Sequence, residues 1–211
     1  MSKVALIWGA AGGIGRALAT KPRLDGWDII AMSRIADNLD GAADHAHAVD
    51  VSDPFSVQRA ALSAAQEMAE AHLFIYAVGD ITAEPVARMA PETFRRVLDA
   101  NLTGAYNAVH HSLPLLAADA PLIFLGAVSE RMRLPGLSAY AAAKAGLEAF
   151  AETLPKEERK RRVIVVRPSA VNTEFWQKVP FKMPGNALSP EGVAEKVVEA
   201  IVSGHQGALD L

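Results

Sequence analysis

Short apolar runs alternate along the chain with longer segments in which apolar residues recur at helical spacing. The short runs contain few polar residues, which is typical of strands covered on both faces of a sheet. They predict strands at Val4–Trp8, Asp28–Ser33, His47–Val49, Leu73–Ala77, Leu122–Gly126, Val163–Arg167 and Ala208–Leu211. The intervening segments predict helices at Ile14–Lys21, Pro54–Ala71, Pro91–Ala117, Ser138–Leu154 and Pro190–Ser203.

Strands that alternate with helices favour a doubly wound, mainly parallel sheet with helices on both faces. Two of the helices carry clear start signals, because Asp53 and Ser189 each place a capping side chain directly before a proline. The 211 residues contain no repeat, low-complexity tract or linker. We therefore expect one α/β domain over residues 1–211, with about seven strands.

The composition narrows the class of protein. Hydrophobic residues make up 51% and charged residues 21%, which suits a globular chain with a full core. The net charge of −3 gives no reason to expect a nucleic-acid partner. The absence of cysteine excludes disulfides and thiol catalysis. The histidines lack metal-ligand spacing, so we expect no metal site.

The sequence also bears on the cellular location of the protein and on its one run of charged residues. The first apolar run is too short for a signal peptide, and we find no uninterrupted apolar stretch long enough to span a membrane. We therefore expect a cytoplasmic protein with no membrane partner. The charge run Lys156–Arg162 is interpreted as a solvated loop rather than a binding patch.

A glycine-rich turn joins the first strand to the first helix. Its sequence runs from Gly9 to Gly15, with a third glycine of the pattern at Gly13. Glycines allow a sharp turn and a close backbone approach to a pyrophosphate, and the following helix N-terminus offers free N–H groups. The alternative is a turn that serves only tight packing.

Tyr140 and Lys144 lie four residues apart on a predicted helix and so share one of its faces. An ammonium near a phenol stabilises the phenolate, so we expect the pKa of Tyr140 to lie below its ordinary value. That would make Tyr140 a proton donor and acceptor near neutral pH. Taken alone, the same spacing also occurs in exposed helix pairs.

Four motifs occur together in a set order. They are Gly9-xxx-Gly13-x-Gly15, Asn101-Leu102-Thr103-Gly104, Tyr140-xxx-Lys144 and Arg167-Pro168-Ser169-Ala170-Val171-Asn172-Thr173. In this order, and over nearly the whole chain, the sequence resembles the short-chain dehydrogenase/reductase family. The resemblance implies a single Rossmann-like domain that transfers hydride between a nicotinamide cofactor and a carbonyl or alcohol carbon of a small molecule.

The resemblance also assigns roles. Tyr140 would protonate the carbonyl oxygen, Lys144 would bind the nicotinamide ribose and lower the tyrosine pKa, and Asn101 would hold a water in a proton relay. The cofactor contacts that it implies, besides Tyr140 and Lys144, are Gly9, Gly13, Ile14, Gly15, Asp50, Val51, Ala77, Val78, Gly79, Pro168, Val171 and Thr173. Asn101 could instead only cap or kink its helix. Asp50 could be a helix-capping or turn residue, and Thr173 could be an ordinary loop residue.

Three positions depart from the family pattern. The serine that usually precedes the tyrosine is replaced by Ala127, and Ser129 is the candidate that would supply the missing hydroxyl. The usual asparagine at the end of the fourth strand is Tyr76, which casts doubt on local stability more than on activity. Ser169 replaces a usual glycine, which we expect to be tolerated.

The expected cofactor preference rests on the second strand. It ends at neutral Ser33, followed by Arg34, whose guanidinium can bind a phosphate through paired hydrogen bonds. An acidic residue there would favour NAD(H). The sequence therefore predicts NADP(H), although Arg34 could be a solvated charge and Asp37 could restore NAD(H) binding.

The substrate class remains open between a carbonyl reductase and an alcohol dehydrogenase. The alternative function is a dinucleotide-binding regulator or sensor that lost efficient catalysis, which Ala127 favours; a methyltransferase is a distant third. Four large apolar residues of the brief segment 174–188 either line an apolar pocket or belong to the core or an interface: Phe175, Trp176, Phe181 and Met183. The resemblance further implies a homodimer or homotetramer, for which alanines along residues 138–154 permit close helix approach.

Overall fold

The sheet explains where a ligand site can form. The computed structural model describes residues 2–20, 26–39, 41–128 and 132–211. Within these ranges seven parallel strands form one sheet in the order β3-β2-β1-β4-β5-β6-β7. The direction in which strands are added reverses between β1 and β4, and parallel α/β sheets bind ligands at the crevice outside the strand ends at such a point.

The bounds of the elements follow the predicted alternation. The strands are β1 (Val4–Trp8), β2 (Asp28–Ser33), β3 (His45–Ala48), β4 (Leu73–Tyr76), β5 (Leu122–Leu125), β6 (Val163–Arg167) and β7 (Gly207–Asp210). The α-helices are α1 (Gly13–Thr20), α2 (Pro54–Ala64), α3 (Pro91–Leu98), α4 (Gly104–Ser112), α5 (Ser138–Glu157) and α6 (Pro190–Val202). Asp53 and Ser189 cap α2 and α6 with their side chains, which confirms both predicted helix starts.

Three predicted helices are wrong in extent, one of which, α5, continues to Glu157 instead of ending at Leu154. The second ends at Ala64 rather than Ala71, because the Ala71 N–H donates to the Leu115 carbonyl and Ala71 pairs with Leu116 beside the sheet. The third is interrupted by a π-helical turn over Asp99–Thr103, which separates α3 from α4. The third strand begins at His45, before its predicted start at His47.

Two apolar layers cover the two faces of the sheet. Alternate residues of β1 serve both of them: Leu6 and Trp8 face one layer, and Ala5 and Ile7 face the other. These four residues are essentially inaccessible to solvent. This burial explains why the strand sequence is uniformly apolar instead of alternating.

The charge run Lys156–Arg162 is not simply a solvated loop. Arg161 donates to the carbonyls of Leu116 and Ala117, and Arg162 donates to the carbonyl of His205 at 3.2 Å. The prediction missed these contacts because they join segments that are distant in sequence. Among the described helices, none is both long and apolar enough to cross a lipid bilayer.

Arg167 links the last two strands to α5. Its Nε and Nη2 donate to the Asp210 carboxylate at 2.6 and 2.9 Å, and Nη1 donates to Glu148 Oε1 at 2.5 Å. We expect Arg167→Ala to lower the free energy of unfolding by roughly 1–3 kcal/mol, because charged hydrogen bonds are lost. Urea denaturation measures this change, and Arg159→Ala, at an exposed position, is the control. Equal stability of the two variants would contradict the assignment.

Candidate active site

The glycine turn requires its glycines because the backbone is packed closely around it. Gly9 has φ +86°, and a Cβ there would lie 2.6 Å from the Val78 nitrogen and 2.7 Å from the Ala77 carbonyl carbon. A Cβ at Gly15 would overlap the Gly9 carbonyl oxygen. The turn therefore lies directly against the end of β4, with the N-terminus of α1 opening beside it.

The predicted alternative for these glycines, tight packing alone, accounts for part of this arrangement. Gly13 also packs closely, because a Cβ there would lie 2.8 Å from Thr173 Cγ2. Thr173 immediately precedes a short 3₁₀ helix over Glu174–Lys178. The structure thus brings two segments of the predicted cofactor site together, although they are far apart in sequence.

Tyr140 and Lys144 are buried neighbours on α5, only 8% and 4% exposed. This arrangement rules out the exposed helix pair that the spacing alone allowed. The Lys144 Nζ lies 5.8 Å from the centre of the Tyr140 ring and donates to the Leu125 carbonyl at 2.7 Å. Because Leu125 ends β5, the lysine is anchored at the edge of the sheet that carries the glycine turn.

Burial dominates the titration of both groups. It lowers the pKa of Lys144 to about 8, because the ammonium form loses hydration. It raises the pKa of the Tyr140 phenol above its usual range. The prediction of a lowered tyrosine pKa is therefore wrong, because desolvation of the buried phenol raises it.

Asn101 lies within the π turn, so the kink foreseen as its alternative role is present. Its Nδ2 donates to the carbonyls of Asp80 at 2.7 Å and Val97 at 2.8 Å. Its fully buried Oδ1 has no hydrogen-bond partner in the described part of the chain. A buried acceptor of this kind calls for a partner such as an ordered water.

The adenosine end of the predicted cofactor site lies where β2 and β3 end. Ser33 is buried, whereas Arg34 is exposed and lines an open hollow together with Ala48, Val49, Asp50 and Ser56. Asp50 Oδ1 accepts hydrogen bonds from the Ser52 hydroxyl and backbone N–H at 2.7 and 2.9 Å. These bonds, with a smaller contribution from Arg34, hold the pKa of the Asp50 carboxyl below its usual value.

The remaining predicted contacts fall around the same crevice. Ala77, Val78 and Gly79 follow β4, and the half-buried Ile14 lies in the first turn of α1. Pro168 is buried just after β6. The Val171 carbonyl accepts a hydrogen bond from Trp176 Nε1 at 2.8 Å, and the buried Val51 side chain faces the start of α4.

The serine that would replace the missing hydroxyl cannot be placed. Ser129 lies outside the described residues. Ala127, at the usual position, is 6% exposed. Ser169 is exposed and its N–H donates to the Leu211 carbonyl, so the substitution for glycine is accommodated there.

The segment after β6 contributes apolar side chains beside Tyr140. Phe175 and Phe181 pack against the cluster that contains Tyr140 and Ile81, whereas Met183 is 42% exposed. A Cβ at Gly79 would lie 3.2 Å both from Phe175 Cζ and from Asn101 Oδ1. Phe175 and Phe181 are therefore placed to border the site, and Met183 is not.

The sequence reasoning missed Asp80 and its ion pairs. The Asp80 carboxylate bonds to Lys178 Nζ at 2.8 Å and forms an ion pair with Arg96 of α3. It thereby ties the 3₁₀ helix over Glu174–Lys178 to the end of β4. Only the position of Asp80 directly after Gly79 could have indicated it, because its partners are distant in sequence.

The geometry fits a nicotinamide dinucleotide. The glycine turn leads into the N-terminus of α1 at the crevice between β1 and β4, where the pyrophosphate of such a cofactor binds. The buried Lys144 adds a cationic group at the same end of the sheet. No group of three or more described histidine, aspartate or glutamate side chains is arranged to hold a metal ion.

Comparisons with known proteins agree with this geometry. The chain is 31% identical to a 2,3-dihydroxy-2,3-dihydro-p-cumate dehydrogenase of Pseudomonas putida, over 99% of this chain and 83% of that protein. It is 28% identical to a 2-dehydro-3-deoxy-L-rhamnonate dehydrogenase (NAD(+)) of Sphingomonas sp. (strain SKA58), over 84% and 76% of the two chains.

A solved structure shows the same fold. An alcohol dehydrogenase from the archaeon Thermococcus sibiricus, complexed with 5-hydroxy-NADP, superposes with a TM-score of 0.91 at 24% identity, over 100% of this chain and 96% of that one. The sequence profile of the short-chain dehydrogenases matches residues 3–183. With its glycine turn, its Tyr140–Lys144 pair and this match, the chain belongs to the short-chain dehydrogenase/reductase family of oxidoreductases.

Proposed function

We propose that this protein transfers a hydride between NADP(H) and a carbonyl or alcohol carbon of a small organic substrate, with Tyr140 as the acid/base. The observation that carries the proposal is the buried Tyr140–Lys144 pair on α5, with Lys144 held by the Leu125 carbonyl at the end of β5. Burial keeps the Tyr140 pKa high, so the phenol is protonated at neutral pH and can give its proton to a carbonyl oxygen.

When bound, the cofactor supplies the hydride and, in its oxidised form, a positive charge. The Lys144 ammonium uses one N–H for the Leu125 carbonyl, which leaves two for ribose hydroxyls or water. Asn101 would hold a water that links Lys144 to solvent and so returns the proton to Tyr140. Apolar Phe175 and Phe181 help to exclude bulk water from this exchange.

A regulator or sensor that binds a dinucleotide without turnover is the second candidate. It is favoured by Ala127, which offers no hydroxyl to the substrate oxygen. We propose Ser129 as the replacement donor. Cofactor binding without turnover on a panel of ketones, aldehydes and quinones would favour the regulator.

We also propose that the protein is a homodimer or homotetramer. Phe94 of α3 is 40% exposed and Tyr106 of α4 is 52% exposed, which leaves apolar surface on these helices. The alanine face of α5 contributes less than expected. Ala139, Ala143 and Ala151 are buried within the chain itself, and Gly146 packs against Leu102.

Tyr140→Phe tests the chemistry. We expect kcat to fall by about a hundredfold or more, because the proton donor is lost, while NADPH binding is retained. Steady-state reduction of a carbonyl substrate and a fluorescence titration of NADPH measure the two effects. Tyr106→Phe, at an exposed position, is the matched control and should leave both unchanged. Undiminished turnover in Tyr140→Phe would remove Tyr140 from the mechanism.

The pKa of Lys144 predicts a pH dependence of cofactor binding. Because burial lowers this pKa to about 8, the side chain is charged below that pH and neutral above it. NADPH affinity should therefore fall as the pH rises through about 8. Titrations of NADPH binding between about pH 6.5 and 9.5, a range of roughly three units around this pKa, measure the change in affinity. In Lys144→Met this pH dependence of NADPH affinity should disappear. An unchanged dependence would mean that another group causes it.

Arg34 and Ser33 test the cofactor preference. Arg34→Ala should weaken NADPH binding and leave NADH nearly unchanged, because a phosphate contact is lost. Ser33→Asp should shift the preference towards NADH, because a carboxylate repels the 2′-phosphate and accepts hydrogen bonds from the ribose. Dissociation constants for both cofactors measure these shifts, with exposed Arg88→Ala as the control. If the unmodified protein binds both cofactors equally and Arg34→Ala changes neither affinity, the predicted preference for NADPH is contradicted.

A further inference from the structure

Tyr76 is a buried tyrosine whose hydroxyl leaves the sheet and contacts the helix layer. It ends β4 beside Trp8 of β1, and both side chains are fully buried in the same apolar layer. The Tyr76 hydroxyl donates to the Ala100 carbonyl at 2.8 Å. A buried phenol hydroxyl needs such a partner, so this hydrogen bond fixes the position of the Tyr76 hydroxyl.

The acceptor belongs to the turn that carries Asn101. Ala100 and Asn101 are consecutive residues of the π turn over Asp99–Thr103. A π turn inserted in an α-helix is rare and often lies at a functional site. Here it separates α3 from α4, and the Tyr76 hydroxyl binds one of its carbonyls from the side of the sheet.

The neighbouring residues leave space for this contact. A Cβ at Gly104, the first residue of α4, would lie 2.6 Å from the Tyr76 hydroxyl and 2.7 Å from Val51 Cγ2. A residue with a side chain would therefore displace the tyrosine. Burial raises the pKa of Tyr76 well above its usual value, so the hydroxyl remains a donor throughout the pH range of an activity assay.

Asn101 is held from two other directions. Its Nδ2 donates to the Asp80 carbonyl, beyond β4, and to the Val97 carbonyl within α3. Tyr76 and Asp80 thus fix the same turn from the two ends of one short segment, residues 76–80. Together these contacts fix the Asn101 side chain beside the segment that follows β4, where a Cβ at Gly79 would lie 3.2 Å from Oδ1.

We propose that Tyr76 is a positioning residue that holds the π turn through Ala100 and thereby fixes the position of Asn101 in the active site. It replaces the asparagine usual at the end of the fourth strand, so this chain supports the site by a contact of its own. The role in turnover rests on the proposed function; the role in orienting Asn101 does not.

Tyr76→Phe tests the proposal because it removes one oxygen atom and leaves the ring in the core. We expect kcat to fall roughly three- to tenfold, the scale of one lost hydrogen bond, with the KM for NADPH unchanged. In an Asn101→Ala background, Tyr76→Phe should change kcat no further, because both substitutions act on the same group. Independent multiplication of the two effects would overturn the proposal.

A second readout does not depend on activity. The side-chain amide signals of Asn101 in a ¹⁵N–¹H spectrum, identified by their loss in Asn101→Asp, should shift or broaden in Tyr76→Phe. Amide hydrogen exchange across residues 99–104 should also become faster. Unchanged signals and exchange would overturn the proposal, whereas an unmodified protein without turnover would count against the proposed function alone.

Trp8→Phe is the matched control for general destabilisation. Trp8 lies beside Tyr76 in the same layer, and its Nε1 has no hydrogen-bond partner among the described residues. This variant should lower the melting temperature without moving the Asn101 amide signals or the pH profile of kcat. If it reproduces the spectral changes of Tyr76→Phe, the tyrosine has only a packing role and the proposal fails.

Discussion

The close approach between Gly9 and the backbone of Ala77 and Val78 is the constraint on which the site depends. A Cβ at Gly9 would lie 2.6 Å from the Val78 nitrogen, so the two strand ends meet at this distance only because Gly9 has no side chain. The contact lies where the order of strands reverses between β1 and β4. It brings the N-terminus of α1 beside the segment that follows β4, and every other element of the site is placed relative to these two.

The segment that follows β4 is the centre of that arrangement. The Asp80 carbonyl accepts a hydrogen bond from Asn101, and its carboxylate binds Lys178 and Arg96. One residue therefore connects the π turn, α3 and the 3₁₀ helix over Glu174–Lys178. Such a connection couples the 3₁₀ helix over Glu174–Lys178 to Asn101, because both bind the same aspartate.

The chemistry of the site arises from burial as much as from residue type. Tyr140 and Lys144 lie in a desolvated environment, where the neutral form of each group gains relative to the charged form. The phenol is thereby kept protonated, and the Lys144 ammonium loses its proton as the pH rises through about 8. A bound oxidised cofactor would add a positive charge and act on the tyrosine in the opposite sense to burial.

The sequence by itself determined what local rules encode. Asp53 and Ser189 predicted two helix starts, uniformly apolar runs predicted the strands, and the glycine turn marked the strand–helix junction, because each signal acts within a few residues. Only the tertiary structure decided the π turn at Asn101, the anchoring of Lys144 on Leu125 and the raised pKa of Tyr140. The Asp80–Lys178 pair joins residues separated by 98 positions. These features depend on burial and on contacts between distant segments, which rules based on local sequence do not detect.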